Sequence, residues 1–433
     1  MTLPGTPNRG WYLDWVGPLP AGWETRAVGR VSWVRARLGW KGLTADEYVD
    51  SGGVAMIATP NIKHSAIDYA NANQITYERY EESPEIMLAR GDVLLTKDGS
   101  TIGTVNIVRD LPAPATVNGS IAVITPASTL DGRFLYWTLA SQYARSLFDR
   151  LKDGMGVPHL FQRDINRIAI PYPTINDQRL IADYLDHEIG SIDTLIAKQQ
   201  RLIASLGERR RSTIQSLALA GFAPLGQAQR ESIPIGALFT VVLGKMLDAG
   251  KARSTSDSDL PYIRAANIQD GGLALSDVNR MPYSLDEAQR LNLQNGDLLV
   301  VEGGAVGTSV LLREDMPGWS FQKTVNRVRS VDNASTAWLG YVLRSYRDSG
   351  VIDILCDGST IAHLTAEKLR ALRIPLLPVE RQAEIALELD ARTAKIDTLI
   401  SKTEQFIALA KERRAALITA AVTGQIDVTT KAA

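Results

Sequence analysis

Apolar positions along the chain follow two patterns, and each pattern occurs twice. Short runs of Val, Ile and Leu bounded by Gly and Asp predict strands at 92–96 and 105–108, and again at 297–301 and 310–312. Between the members of each pair lie the glycine-rich stretches DGSTIGT (98–104) and EGGAVGT (302–308). They read as hairpin turns, with a phosphate-cradling loop as the alternative. Leu, Tyr and Trp at helical spacing predict a helix over 132–149 and another over 336–353. A proline-bounded strand closes each β-rich part, at 168–173 and 372–375.

The second pattern is longer. Ile189, Ile192, Ile196, Ile203, Leu206 and Leu217 fall on a three-four spacing along 176–220, interrupted by Gln199, Arg210 and Thr213. Ile396, Ile400, Ile407, Ala410, Leu417 and Ala421 repeat it along 380–424, interrupted by Thr403 and Arg414. Such spacing, sustained over several heptads, predicts a coiled-coil seam on two long helices, each roughly 65 Å long at 1.5 Å per residue. Neither stripe is stable alone in water, and their likeness makes each the natural partner of the other. Core helices of two independent domains are the alternative.

A fixed offset connects the copies. Ile-Asp-Thr-Leu-Ile stands at 192–196 and at 396–400, 204 residues apart (396 less 192). At that offset Glu208-Arg209-Arg210 falls on Glu412-Arg413-Arg414, Gln178 on Gln382, Pro171 on Pro375, and His159-Leu160 on His363-Leu364. Asp153-Gly154 likewise falls on Asp357-Gly358, and Asp98-Gly99 on Glu302-Gly303. Gly91-Asp92-Val93-Leu94-Leu95 matches Gly296-Asp297-Leu298-Leu299-Val300 after a one-residue slip. Agreement over so long a stretch marks a tandem duplication, and missing such a repeat would mis-assign the whole fold. The expected architecture is α+β: an N-terminal segment 1–22, a β-rich domain 23–172, a long helix 173–222, a second β-rich domain 223–378, a second long helix 379–427 and a tail 428–433. The two helices are expected to pair as an antiparallel coiled coil.

The chain has 433 residues, which suits two domains plus extra helix better than one core. With 45% hydrophobic and 22% charged residues it has the balance of a soluble globular protein. A net charge of -1 gives no overall basic field, so any phosphate-binding surface must arise from local clustering of Lys and Arg. The single Cys356 excludes an intrachain disulfide framework and fits a reducing cytoplasm. His64, His159, His187 and His363 are scattered, without zinc-ligand spacing. No signal peptide and no membrane-spanning run is expected. The reading is a cytoplasmic protein.

Catalytic motifs are missing. No G-x-x-x-x-G-K-[ST] loop is present, since Gly103-Thr104 and Gly307-Thr308 lack the lysine. There is no Pro-Pro dipeptide, which a DNA aminomethyltransferase loop needs, and Asp98 beside Lys97 is the sole hint of a nuclease cluster. His159 and His363 recur, yet neither shows a carboxylate or serine in a recognisable sequence relation. Asp92 and Asp297 each follow Gly at a strand start, where Asp fixes a turn.

The β-rich parts do offer side chains suited to base edges and phosphates. The first has Lys63, His64, Lys97, Ser100, Thr101, Asn118, His159 and Arg163; the second has Asn267, Gln269, Gln322, Lys323, Arg327 and His363. Lys152, Gln162, Arg167, Arg264, Asn326, Arg329 and Lys368 extend the set. Glu208, Arg209, Arg210, Glu412, Arg413 and Arg414 are candidate docking charges on the helices, or else a solvated coiled-coil flank.

Two β-rich parts separated by two matched helices resemble the specificity subunit of type I restriction-modification enzymes. The signs are Pro18–Glu24 (PLPAGWE), Gly91-Asp92-Val93-Leu94, Ile170-Pro171 ahead of Gln178, Ile192-Asp193 leading into Glu208-Arg209-Arg210, and the closing Ala420–Ile426 (AAVTGQI). The stretch through Trp15 departs from the pattern. The resemblance implies two target-recognition domains, each reading one half of a split double-stranded DNA site, and helices that act as spacer. It implies partners too: two modification (methyltransferase) subunits and restriction (motor-nuclease) subunits, which carry S-adenosylmethionine, ATP and Mg. The chain itself is then a non-catalytic subunit with no cofactor or metal. A coiled-coil scaffold with two protein-binding modules and a self-sufficient restriction or modification enzyme are the alternatives.

Overall fold

The computed structural model describes residues 19–37, 47–63, 66–151, 158–220, 222, 232–246, 257–356 and 362–428. His64, Lys152, the pairs Asp153-Gly154 and Asp357-Gly358, and the stretch through Trp15 lie outside them. By contact density the chain forms two compact units, residues 1–199 with 405–433 and residues 200–404. The border cuts both long helices, Ile175–Leu219 and Val379–Val422, so each unit holds one β-rich head and part of each helix.

In the first unit, four antiparallel strands run in the order Ser32–Arg35, Ile121–Pro126, Val93–Thr96, Val105–Ile107. The strand Val93–Thr96 is buried throughout because it has core on both faces. Val93 and Leu95 point into a cluster with Phe134, Trp137 and the long helices, while Leu94 points into a second cluster with Ile57, Ile62 and Val117. That two-sided burial explains a continuous apolar run where a half-exposed strand would alternate. A second sheet, Tyr48–Val49, Asn73–Ile75, Val54–Ile57 and Ala115–Val117, carries the outer part of the head. The strand Ala169–Tyr172 pairs with Glu24–Ala27.

The second unit repeats the four-stranded sheet in the same order: Phe239–Leu243, Val325–Ser330, Leu298–Val301, Ser309–Leu311. Leu298 and Val300 face the cluster that holds Trp338 and the long helices, and Leu299 and Val301 face the one that holds Tyr283 and Phe321. The outer part has diverged to Asn279–Tyr283, Ser258–Ile263 and Ser320–Phe321. Each predicted short helix is broken in two, Gly132–Ala140 with Gln142–Leu151 and Thr336–Asp348 with Val351–Cys356. At the first break Ser141 ends one helix and starts the next, its Oγ donating to Thr138 O and accepting from Ala144 N.

On the long helices the least exposed positions between 189 and 210 include 189, 192, 196, 199, 203, 206 and 210, the three-four spacing of a seam. In the first unit Arg414 Nε donates to Asp193 at 2.9 Å, and Ile181, Leu185 and Ile189 share a core with Ile418, Ala421 and Val422. In the second unit Arg210 grips Asp397 at 2.8 and 3.2 Å, and Ile385 and Leu389 share a core with Ile214, Ala218 and Leu219. Within each unit the helices therefore run antiparallel. The two ion pairs are copies of one another, since Asp193 and Arg210 fall on Asp397 and Arg414 at the repeat offset. Near the C-terminal ends of both helices the seam moves by a residue: Ile214 with Ala218, and Ile418, are buried in place of Leu217 and Leu417. A straight helix drifts out of a seven-residue repeat, and here a head, not only a helix, covers it.

Candidate nucleic-acid interface

Both heads build their surface loops on an anchored carboxylate. Asp92 and Asp297 are fully buried, cap the preceding turn by accepting from Ala89 N and Gln294 N, and each holds an arginine. In the first head this is Arg35 on the first strand of the sheet; in the second it is Arg329 on the neighbouring strand. The turn role is as expected, and the buried ion pair is additional. It consumes Arg329, a residue that sequence alone offers to DNA.

Three segments then meet at the end of the central strand. In the first head Lys97 N donates to Ser120 O and Lys97 O accepts from Leu160 N, both at 2.8 Å. In the second head the same two bonds are made by Glu302, to Thr324 O at 2.9 Å and from Leu364 N at 2.8 Å. Bridges pair Asp98 with His159 and Gly303 with His363. The backbone thus equates Lys97 with Glu302 and Asp98 with Gly303, and so corrects the sequence offset, which sets Asp98 on Glu302. The glycine-rich stretches are hairpin turns, with Gly99, Gly103, Gly304 and Gly307 at positive φ where a side chain would be strained.

Side chains gather on this frame. His159 Nδ1 contacts the Asp98 carboxylate, whose other oxygen takes Lys97 Nζ at 2.9 Å. Phe161 lies edge-on to the His159 ring, 4.6 Å between centroids, and Arg163 stacks over Phe161 at 4.7 Å. Asn118 Oδ1 accepts from Ser120 N, shaping the neighbouring turn. Ser100 is exposed and Thr101 half-buried on the hairpin. In the second head His363 is exposed and rests on Gly303; a Cβ there would stand 3.2 Å from the ring. Burial raises the Glu302 carboxyl above its ordinary value, and His363 and Lys323 pull it partly back. Gln322 Oε1 accepts from Thr324 Oγ1, and Lys323 is exposed beside it.

Histidine–acid proximity in both heads is a correction to the sequence reading, which found no carboxylate in relation to either histidine. Asp98 and His159 are 61 residues apart in sequence, so only the fold brings them together. Other candidates are placed differently. Asn267 is buried, its Oδ1 accepting from Arg264 N and its Nδ2 donating to Ala274 O and Asp277 O. Arg327 is buried too and donates to Asn292 O; burial pulls its guanidinium down to about 10. Both are occupied within the head. Asn326 donates to Leu364 O, and Arg264 pairs with Asp277. Lys63 and Gln269 are exposed away from the cluster's hydrogen bonds, on a turn and a two-stranded ribbon. Of the docking charges, Glu208, Arg209, Glu412 and Arg413 are exposed, whereas Arg210 and Arg414 are tied across the seam.

The profile of the type I restriction modification DNA specificity domain matches residues 20–203 and 230–407, most of the chain and once per repeat. The chain belongs to this family. It is 20% identical over 422 residues to the type I restriction enzyme EcoKI specificity subunit of Escherichia coli (strain K12), covering 95% of this chain and 90% of that protein. To the StySPI specificity subunit of Salmonella potsdam it is 20% identical, covering 88% and 84%. Its fold is similar to that of a chain solved in a study of assembly and conformational transition of the type I R-M system, with a TM-score of 0.67, 17% identity, and 94% and 100% covered. The HsdS subunit of Thermoanaerobacter tengcongensis gives a TM-score of 0.52 at 17% identity, with 95% and 99% covered. This specificity protein carries two tandem recognition domains. Among its described residues no helix is long and apolar enough to cross a membrane, and no group of three His, Cys, Asp or Glu could hold a metal ion.

Proposed function

We propose that each head reads one half of a bipartite site in double-stranded DNA, and that the chain itself performs no chemistry. One observation carries the reading: the same three-segment frame stands at the end of the central strand in both heads, yet bears different polar side chains. A rigid sheet with variable loops is how sequence readers are built, because the scaffold fixes where a side chain points while the side chain selects the base edge. Two readers on one chain multiply their discrimination. Methyl transfer, strand translocation and cleavage then belong to two methyltransferase subunits and to motor-nuclease subunits, which supply S-adenosylmethionine, ATP and Mg. The exposed Glu208, Arg209, Glu412 and Arg413 are the charges offered to those partners.

Grafting residues 23–172 from a relative, followed by mapping of methylated adenines in cells, tests the division of labour. One half of the site changes and the other stays; change in both halves of an assembled complex overturns it. The purified chain, given S-adenosylmethionine and DNA, transfers no methyl groups, and turnover without partners overturns the non-enzymatic assignment.

A further inference from the structure

The two heads differ in one coordinated way. In the first, position 97 is a cation and the carboxylate sits one residue later, on Asp98. In the second, the carboxylate sits on the equivalent of Lys97, namely Glu302, and the next residue is glycine. The acid has moved by one residue along a backbone that makes the same two bonds at this position, and in both heads it stays beside the histidine. Gly303 is part of the same change, because the His363 ring lies close enough that a side chain at 303 would be tight against it. Asp98 has such a side chain, and His159 is held by it instead of lying over it.

This exchange reverses the hydrogen-bonding character of the frame. The first head presents donors: the Lys97 ammonium, with hydrogens beyond the one given to Asp98, and the Arg163 guanidinium, whose side chain is 69% exposed. The second holds a carboxylate acceptor there in place of a cation: Glu302 Oε2 is buried and has no hydrogen-bond partner among the described residues. A buried carboxylate oxygen without a donor is costly, and an incoming amino group would relieve that cost.

Resting on the DNA-reading role above, we infer that Lys97 and Glu302 occupy the specificity-determining position of their heads, each working with its neighbouring histidine. The first head uses it to meet an acceptor-rich base edge, guanine O6 and N7. The second uses it to meet an exocyclic amino group, cytosine N4 or adenine N6.

The test selects bound sequences from randomised duplexes with the full chain co-purified with the methyltransferase subunit of its own system. Wild type is compared with Lys97→Gln and Glu302→Gln. Each variant is expected to lose discrimination about tenfold to a hundredfold at a single base pair of its own half-site, and none in the other half. The untouched half-site reports, in the same molecule, that the variant is folded and assembled. If either variant weakens binding evenly over all sequences, with a shallower salt dependence, the position touches phosphate and the inference is overturned. Unchanged preference in both variants overturns it too, while bipartite selection by wild type keeps the DNA-reading role intact. A wild-type complex that selects no sequence removes that role, and the inference with it.

Discussion

At the residue scale, Glu302 sets recognition against stability. Its carboxyl is raised by burial, so the folded chain holds that proton more tightly than the unfolded chain does. Stability from such a group is fully present below the unfolded value and is lost as pH rises through the folded one. Replacing Glu302 by Gln removes the loss. The variant should therefore melt higher than wild type at pH 7, with the gap closing as pH falls toward the ordinary carboxylate value of 4.5. Paired thermal melts across that range read it directly, since every other group titrates in both proteins; a gap independent of pH refutes the account. None of this is legible in sequence, because Glu302 and His363 are joined only by the fold. Asp92 and Asp297 were legible as turn formers, whereas their arginines were not. Arg35 and Arg329 come from different strands in the two heads, so no repeat pattern could reveal them.

At the scale of elements, long periodic helices were the clearest feature of the sequence, expected at 176–220 and 380–424 and found at Ile175–Leu219 and Val379–Val422. Short strands such as Val54–Ile57 and Ala115–Val117 escaped, since three or four apolar residues without turn signals fit many states. Between head and helix the key residue is a buried glutamine. Gln178 Oε1 accepts from Asp131 N, and its Nε2 donates to Thr129 O and Pro173 O. Gln382 does the same work in the second unit, accepting from Ser335 N and donating to Leu377 O. Each amide thus ties the start of a long helix to the cap of a short one. Gln178→Leu keeps the volume close but strands the Asp131 N–H, a loss of about 1–3 kcal/mol. The exposed control Arg201→Leu on the same helix should stay within about 0.5 kcal/mol. Urea unfolding of the two variants checks it, and equal midpoints would show the glutamine to be dispensable.

At the scale of the whole molecule, the duplication was legible because one offset persists over so many residues, and the doubled sheet order and doubled ion pair express it in three dimensions. What the repeat cannot express is how the two readings combine on one DNA, and there the helices are open to test. If they set the spacing between half-sites, four residues added to each, next to Gln199 and Thr403, lengthen the pair by about 6 Å at 1.5 Å per residue. DNA rises about 3.4 Å per base pair, so the preferred spacer should grow by one or two base pairs while the half-site sequences stay the same. Four residues are close to a whole helical turn, so the seam through Ile196, Ile203, Ile400 and Ile407 is displaced by a modest rotation and survives as a stutter. Each added base pair, in contrast, turns the second half-site by about 34–36° around the DNA axis. The two rotations do not cancel, and some affinity is therefore lost even at the new best spacing. Binding selection on duplexes with randomised spacers measures both effects at once. A folded and assembled variant that keeps the original spacer would show that the helices do not measure DNA, which would leave partner docking as the work of their exposed faces.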